Sequence, residues 1–446
     1  MRKSLNLEST TGAVAVIEAP AVTPAGPVRV QFDGVDLEAL SRQVPTPFHA
    51  YSANAIRERI GGLQRALHGL DAVICFAVKA NANIAILQLM AEAGVGADIV
   101  SIGELQRSLR AGIPAERIVF SGVGKTELEI DAALAAGVAR FNVESFDELH
   151  ALQRIGSRRQ TVAHAAVRIN PDVDARTHQK ISTGKSENKF GVGIAEARRW
   201  FADSGSFSHV RLDGLHVHIG SQILELEPFR LALDRVGMFW RELVLAGHRI
   251  ASIDVGGGLG VSYRAGEDRP IVAADYVATI RNALAGFGGR IVLEPGRYFV
   301  AEAGVLLTRV IRIKQGKHRE FLVVDAAMND LLRPSLYDAW HDIELIESEP
   351  AKDTPRPSTI YDIVGPVCET GDTFAVEREM PQCAAGDLLM IKSTGAYGAS
   401  MASTYNSRPL AAEVLLDNGR FAVVRRRQTY EEMVAGEQAA DAWLAI

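Results

Sequence analysis

The chain has 446 residues, 47% of them hydrophobic and 23% charged, the make-up of an ordinary globular protein rather than a disordered, fibrous or collagen-like one. Lys plus Arg (48) against Asp plus Glu (54) leave a formal net charge of -6 with no basic run, which argues against a nucleic-acid partner. Cys75, Cys368 and Cys383 are the only cysteines: too few for a disulfide framework and suited to a reducing, cytoplasmic setting. No run approaches a membrane span, and the apolar stretch at 13–17 is too short for a signal peptide.

Residues 1–27 read as a loose leader, and 28–47 as a segment joining a later β domain, with a strand near 28–32. From 48 the texture changes. Short β-rich runs at 72–79, 97–101, 117–121, 140–143, 165–169, 214–220, 250–255 and 290–294 alternate with helical patterns such as 84–93, 105–111 and 127–136. Eight such alternations predict a (β/α)8 barrel over 48–303 rather than an open doubly wound sheet. Beyond 303 the helical rhythm fades, and runs at 304–313, 320–325, 359–364, 387–392 and 412–416 predict a mostly β domain over 304–446. Asp417-Asn418-Gly419-Arg420 has hairpin chemistry, and Thr429-x-x-Glu432 forms the capping box of a short final helix.

Two motifs invite a nucleotide reading and do not sustain it. Gly124-Lys125-Thr126 and Gly184-Lys185-Ser186 resemble the end of a P-loop, but Val119 and Gln179 stand where its first glycine belongs. The run from Gly256 to Gly260 lacks the dinucleotide spacing. His216-x-His218 has the period of a strand face and allows a metal-dependent barrel hydrolase, yet only Asp254 is placed as a further ligand. A packed, satisfied histidine is the plainer account of His216, and no metal is expected.

Barrel chemistry gathers where strands end. Lys79 closes the first run, where burial disfavours an ammonium; a lowered pKa makes a nucleophilic amine able to form a Schiff base. A surface lysine is the competing account. The later strand ends decide between them. His218-Ile219-Gly220-Ser221 ends the sixth run, Gly256-Gly257-Gly258 the seventh and Glu294-Pro295-Gly296-Arg297 the eighth. Three glycines permit close backbone approach to a phosphate and Arg297 adds a charged fork. A Schiff-base lysine and a phosphate cradle on one barrel face imply pyridoxal 5'-phosphate. Glu294 then suits the pyridine nitrogen, and His218 a position against the ring.

At these residues the sequence resembles the fold-type III, alanine-racemase-like, pyridoxal-phosphate-dependent decarboxylases, and within them the bacterial branch acting on diaminopimelate. The likeness runs from about 46 to 437 and includes 76–81, 123–126, 142–145, 168–174, 182–191, 218–222, 254–260 and 294–297. In the β domain it continues through 325–337, 365–372, 395–398 and 405–409. The resemblance implies that Lys79 carries the cofactor and that Ser221, Gly256, Gly257, Gly258, Gly296 and Arg297 hold its phosphate, with Tyr397 adding a hydroxyl. It implies that Cys368 returns a proton after CO2 departs, and that Arg297, Arg333, Tyr337, Glu369 and Tyr397 line the substrate site. It further implies a homodimer in which the partner chain supplies Cys368 and Glu369.

The implied reaction is the decarboxylation of meso-2,6-diaminopimelate to L-lysine, the last step of lysine biosynthesis. One end of this small amino-acid substrate sits on the cofactor, so the far end needs a cation and an anion. Arg333 can grip the distal carboxylate and Glu369 can accept from the distal ammonium. Ornithine lacks that carboxylate and would leave a buried arginine unpaired, at a cost of roughly a few kcal/mol. Two alternatives stand beside this reading: a decarboxylase of ornithine, arginine or carboxynorspermidine, and a non-catalytic cofactor carrier. Considered alone, Arg333 reads as a surface ion-pair residue and Cys368 as a small buried hydrophobe.

Overall fold

The structure, a computed structural model, describes residues 31–175, 183, 189–347, 356–440 and 443. The leader, the beginning of the expected 28–32 strand, and Gly184-Lys185-Ser186 with most of the 182–191 match lie outside the described residues.

Two short strands, β1 (Gln31–Phe32) and β2 (Val35–Asp36), form a small hairpin, and β3 (Phe48–Ser52) follows. The barrel strands are β4 (Ala72–Ala77), β5 (Gly96–Ile99), β6 (Ile118–Phe120), β7 (Arg140–Val143), β8 (Ala163–Ile169), β9 (Val210–Val217), β10 (Ser252–Asp254) and β11 (Arg290–Leu293). All neighbours pair in parallel and the sheet closes, β11 against β4. The helices expected between the first strands form as Ile84–Glu92, Ile102–Arg110 and Glu127–Ala136. The last is held by a capping box between Thr126 and Glu129 and stopped by Gly137 in the left-handed region (φ 80°).

Strand alternation sorts the barrel's two faces. On β4, Ile74 and Phe76 enter the helix-covered core, while Cys75 packs with Val119 and Val292 in a separate apolar cluster. On β5, Ala97 and Ile99 belong to the outer core, so Asp98 faces the barrel interior. The interior therefore carries an apolar plug and, nearer the strands' C-terminal ends, a polar layer.

The second unit contains β12 (Gly304–Gln315), β13 (Glu320–Val324), β14 (Ile343–Ile346), β15 (Ser358–Val364), β16 (Thr373–Pro381), β17 (Leu388–Ile391), β18 (Ala412–Asp417) and β19 (Arg420–Arg425). The sheet order is β16-β15-β13-β12-β3-β18-β19, with β17 branching to β12 and β14. The expected hairpin joins β18 to β19, with Asn418 (φ 51°) and Gly419 (φ 78°) in the left-handed region, and the capping box opens the helix Tyr430–Val434.

One boundary shifts. Residues 48–52, read as the barrel's first residues, form β3, which lies between β12 and β18 in the β sheet. A short apolar run before the helix Ala53–Ala66 looks like any barrel strand; only its long-range pairing distinguishes it. The strands β14 and β16 also escape the sequence reading.

Candidate active site

The C-terminal ends of the barrel strands open onto a cavity of about 410 Å³ walled on its far side by the β domain. Lys79, His218, Ser221, Gly258, Glu294, Gly296, Arg297, Arg333, Tyr337 and Tyr397 all line it. These residues come from both units of the chain; of the expected set, Gly256, Gly257 and Pro295 stand behind the lining. Cys368 and Glu369 do not line it. They sit exposed on the loop between β15 and β16, where the Cys368 N–H donates to Asn406 Oδ1 and the Tyr405 hydroxyl donates to Glu369.

Beyond β4 the chain tightens into a 3-10 turn, Val78–Ala80, after the Ala77 N–H bonds the Pro295 carbonyl at 3.1 Å. The turn sets Lys79 beside the exit of β11. Its Nζ donates to Asp98 Oδ2 at 2.8 Å. Here the expected pKa changes sign. Burial lowers the ammonium's pKa as anticipated, but Asp98, Tyr397 and Glu294 more than offset it, and the pKa rises above its ordinary value. Asp98 is itself held above the usual carboxylate range by burial and by the charge of Glu294.

Glu294 is enclosed by donors. Asn142 Nδ2 lies 3.0 Å and Ser121 Oγ 3.3 Å from Oε1, and His216 Nε2 is 3.2 Å from Oε2. Burial alone would raise its pKa; His216 and Lys79 reverse this, so Glu294 stays ionised. Asp254, buried against Glu294, is pushed well up by burial and that neighbouring charge. The two carboxyls are thus pushed in opposite directions, Asp254 up and Glu294 down. His216, Asp254 and Glu294 bring ligand-type atoms within 4.8 Å of one another, and the Asn142 amide also reaches Asp254 Oδ2 at 3.3 Å. His216 acquires a role here that its sequence position did not suggest: it is a donor to Glu294.

The two histidines of His216-x-His218 do separate work, because β9 ends at Val217 and His218 leaves the strand. His218 Nδ1 accepts from the Gly257 N–H at 3.1 Å, so the ring proton is on Nε2. Burial, with Arg168 and Lys79 nearby, holds its pKa well below the ordinary value, and the ring is neutral.

The glycine run divides its labour more sharply than expected. The Gly256 N–H donates to Asp254 Oδ1 and the Gly257 N–H to His218, so these two amides serve the protein itself. Gly258 and Gly296 line the cavity. All four positions are closely approached: a Cβ would meet the Val217 carbonyl oxygen at 2.3 Å from Gly256, that of Glu294 at 2.1 Å from Gly257, that of Gly220 at 2.5 Å from Gly258, and the Ala77 and Ala80 methyls at 3.0 Å from Gly296. Gly257→Ala is expected to displace the backbone under Glu294, lowering stability by about 1–3 kcal/mol and weakening cofactor binding. A thermal melt and a cofactor titration measure both; unchanged values would refute the close packing.

Two buried guanidiniums share the cavity, 6% exposed in each case. Arg297 reaches Ser221 Oγ (3.2 Å from Nη2) and the Tyr263 hydroxyl, and lies 4.9 Å from the Tyr397 ring centroid. Arg333 stacks on Tyr263 at 4.3 Å and donates to His341. Neither has a carboxylate partner among the described residues. Buried cations surrounded by hydroxyls and aromatic faces, with no internal counter-ion, fit oxyanions arriving with ligands. Ser221 and Arg297 would suit a phosphate, Glu294 a pyridine nitrogen and Lys79 an aldehyde, so the residues present fit pyridoxal phosphate.

Among these, Asp98, Asn142, Ser121, Tyr263 and His341 had no site role in the sequence reading. Asp98 was discoverable from strand alternation on β5. Tyr263 and His341 lie in loops with no periodic signal.

Comparison with known proteins identifies the family. The model of the pyridoxal-dependent decarboxylase pyridoxal-binding domain matches residues 53–301, and the chain belongs to that family of pyridoxal-phosphate enzymes. It is 45% identical over 416 residues to the diaminopimelate decarboxylase of Zymomonas mobilis, covering 92% of this chain and 97% of that protein. The corresponding Pseudomonas aeruginosa enzyme is 47% identical, with 91% and 96% covered. The crystal structure of Helicobacter pylori diaminopimelate decarboxylase complexed with L-lysine superposes with a TM-score of 0.85 at 43% identity, covering 90% of this chain and 99% of that one. Within the family the chain falls among the diaminopimelate decarboxylases, and the carboxy-lyase reading stands over the non-catalytic carrier. Among the described residues, no helix is long and apolar enough to cross a membrane.

Proposed function

We propose that this protein converts meso-2,6-diaminopimelate to L-lysine and CO2, with Lys79 carrying pyridoxal phosphate and two chains sharing each active site. The observation that carries the substrate choice is Arg333, a buried guanidinium in the cavity of Lys79 whose only side-chain hydrogen bond among the described residues is to a histidine. A substrate whose far end bears a carboxylate supplies the missing anion; ornithine does not.

Bound pyridoxal phosphate supplies the sink for the electron pair left when the carboxylate departs. Lys79 binds it, and Asp98 Oδ2 is the acceptor for the proton that the Lys79 ammonium must lose. Glu294, kept anionic by His216 and Lys79, would stabilise a protonated pyridine nitrogen. His218, lining the cavity and uncharged, would border the cofactor without adding charge. Ser221, Gly258, Gly296 and Arg297 hold the phosphate, joined by the Tyr397 hydroxyl. Arg333 and Tyr337 receive the distal carboxylate.

The proton donor Cys368 and the distal-ammonium acceptor Glu369 come from a second copy of the chain. Their absence from their own cavity, and the exposure of Cys368 beside the two buried cysteines, support this homodimer. Three cysteines without a disulfide also support a cytoplasmic location.

The test offers the cofactor-loaded protein meso-diaminopimelate, ornithine, arginine and carboxynorspermidine separately, measuring CO2 release and identifying each amine by mass. Lysine from diaminopimelate alone is expected. Release from ornithine at comparable rates would overturn the argument from Arg333.

A further inference from the structure

Arg333, the cation assigned to the substrate's far end, is held by a histidine that takes no part in the chemistry above. Arg333 opens the short helix Arg333–Tyr337, and its Nη1 donates to His341 Nε2 at 2.8 Å. On the other side of the same ring, His341 Nδ1 lies 2.8 Å from the Lys392 carbonyl oxygen. A carbonyl only accepts, so Nδ1 carries the ring proton and Nε2 presents a fixed lone pair to the guanidinium. The imidazole is 1% exposed and meets the Tyr263 ring edge-on, 5.2 Å between centroids. Tyr263 in turn lies face-on beneath Arg333. The guanidinium is thus held from its edge by an acceptor and from below by a π face.

The chemistry of that acceptor matters more than its reach. Burial, together with Arg333, Arg297 and Arg378, pushes the His341 pKa down to about 3, so the ring is uncharged at neutral pH. A carboxylate in its place would orient Arg333 equally well but would neutralise it. A neutral acceptor orients the fork and leaves its full charge for an incoming anion.

We propose that His341 is a positioning residue for substrate selection: it aims Arg333 at the distal carboxylate without competing for its charge. This rests on the reading of Arg333 as the carboxylate clamp, and the experiment separates the two. L-lysine and cadaverine differ by one carboxylate, the group Arg333 would hold. Their dissociation constants for the cofactor-loaded protein are measured by calorimetry, alongside KM and kcat for diaminopimelate.

Arg333→Ala is expected to abolish the preference for L-lysine over cadaverine. His341→Ala should weaken L-lysine binding and raise KM by about 10–100-fold, the loss of one hydrogen bond to a charged group, with cadaverine binding and kcat changed by less than about twofold. His341→Gln, whose Oε1 can accept from Arg333, should recover most of the loss, and it keeps the test informative if the alanine variant folds poorly. Equal weakening of L-lysine and cadaverine in His341→Gln and His341→Ala would make His341 a packing residue and overturn the proposal. So would an intact preference in His341→Ala when Arg333→Ala has lost it. An intact preference in Arg333→Ala would overturn the clamp itself, and the proposal with it.

Discussion

Lys79→Ala is expected to eliminate the visible absorbance of covalently bound pyridoxal phosphate and to lower turnover by on the order of 10³-fold or more. Among the described residues lining the cavity with Arg297 and Glu294, Lys79 is the one lysine. Removing it also leaves Asp98, fully buried, without its cation. That carboxylate is already held above its usual range, so it is expected to take up a proton rather than remain as an isolated charge. Lys79→Arg separates the effects: it can keep the ion pair with Asp98 and hence the melting temperature, but it cannot carry the cofactor. Absorbance spectra, thermal melts and kcat for both variants provide the check. A variant that retains the visible band would refute the assignment of Lys79.

The second large effect belongs to Cys368. Its replacement by alanine is expected to lower lysine formation by about 10²–10⁴-fold, the usual contribution of a positioned proton donor, with cofactor binding unchanged. Because Cys368 and Glu369 do not line the cavity of their own chain, the loss should be repairable in trans. Lys79→Ala and Cys368→Ala chains, each inactive, are mixed under conditions that let protomers exchange. Random pairing makes mixed dimers about half of the total, each with one intact site of two, so about a quarter of the wild-type activity returns. No recovery, with exchange verified by mass, would mean that each site is built from one chain.

Much of the site was legible before any contact was known. Alternating short β runs and amphipathic stretches mark each barrel strand, and chemistry at strand ends follows from that architecture, so Lys79, His218, Glu294 and Arg297 stand out by position. The resemblance added Arg333, Tyr337, Cys368 and Glu369. The charge on Lys79 was not legible. Burial alone predicts a lowered pKa, but the decisive groups are Asp98 on the next strand, Glu294 and Tyr397, brought within range by barrel closure and by the β domain. Nor was the role of His216 legible, since packing histidines and hydrogen-bonding ones look alike in a strand. The two simple accounts of Arg333 and Cys368 both fail on burial: the arginine is enclosed and the cysteine exposed.

The sequence by itself determined the eightfold strand–helix rhythm, the β-rich second half, and which residues stand at strand ends, because periodicity and turn chemistry act over a few neighbouring residues. Tertiary structure alone decided that β3 belongs to the second sheet, since its partners Gly304–Gln315 and Ala412–Asp417 lie far along the chain. It alone decided that the pKa values of Asp254 and Glu294 are pushed in opposite directions, and that a neutral His341 faces Arg333. Those outcomes depend on electric fields and hydrogen bonds summed over residues distant in sequence, which no local pattern records.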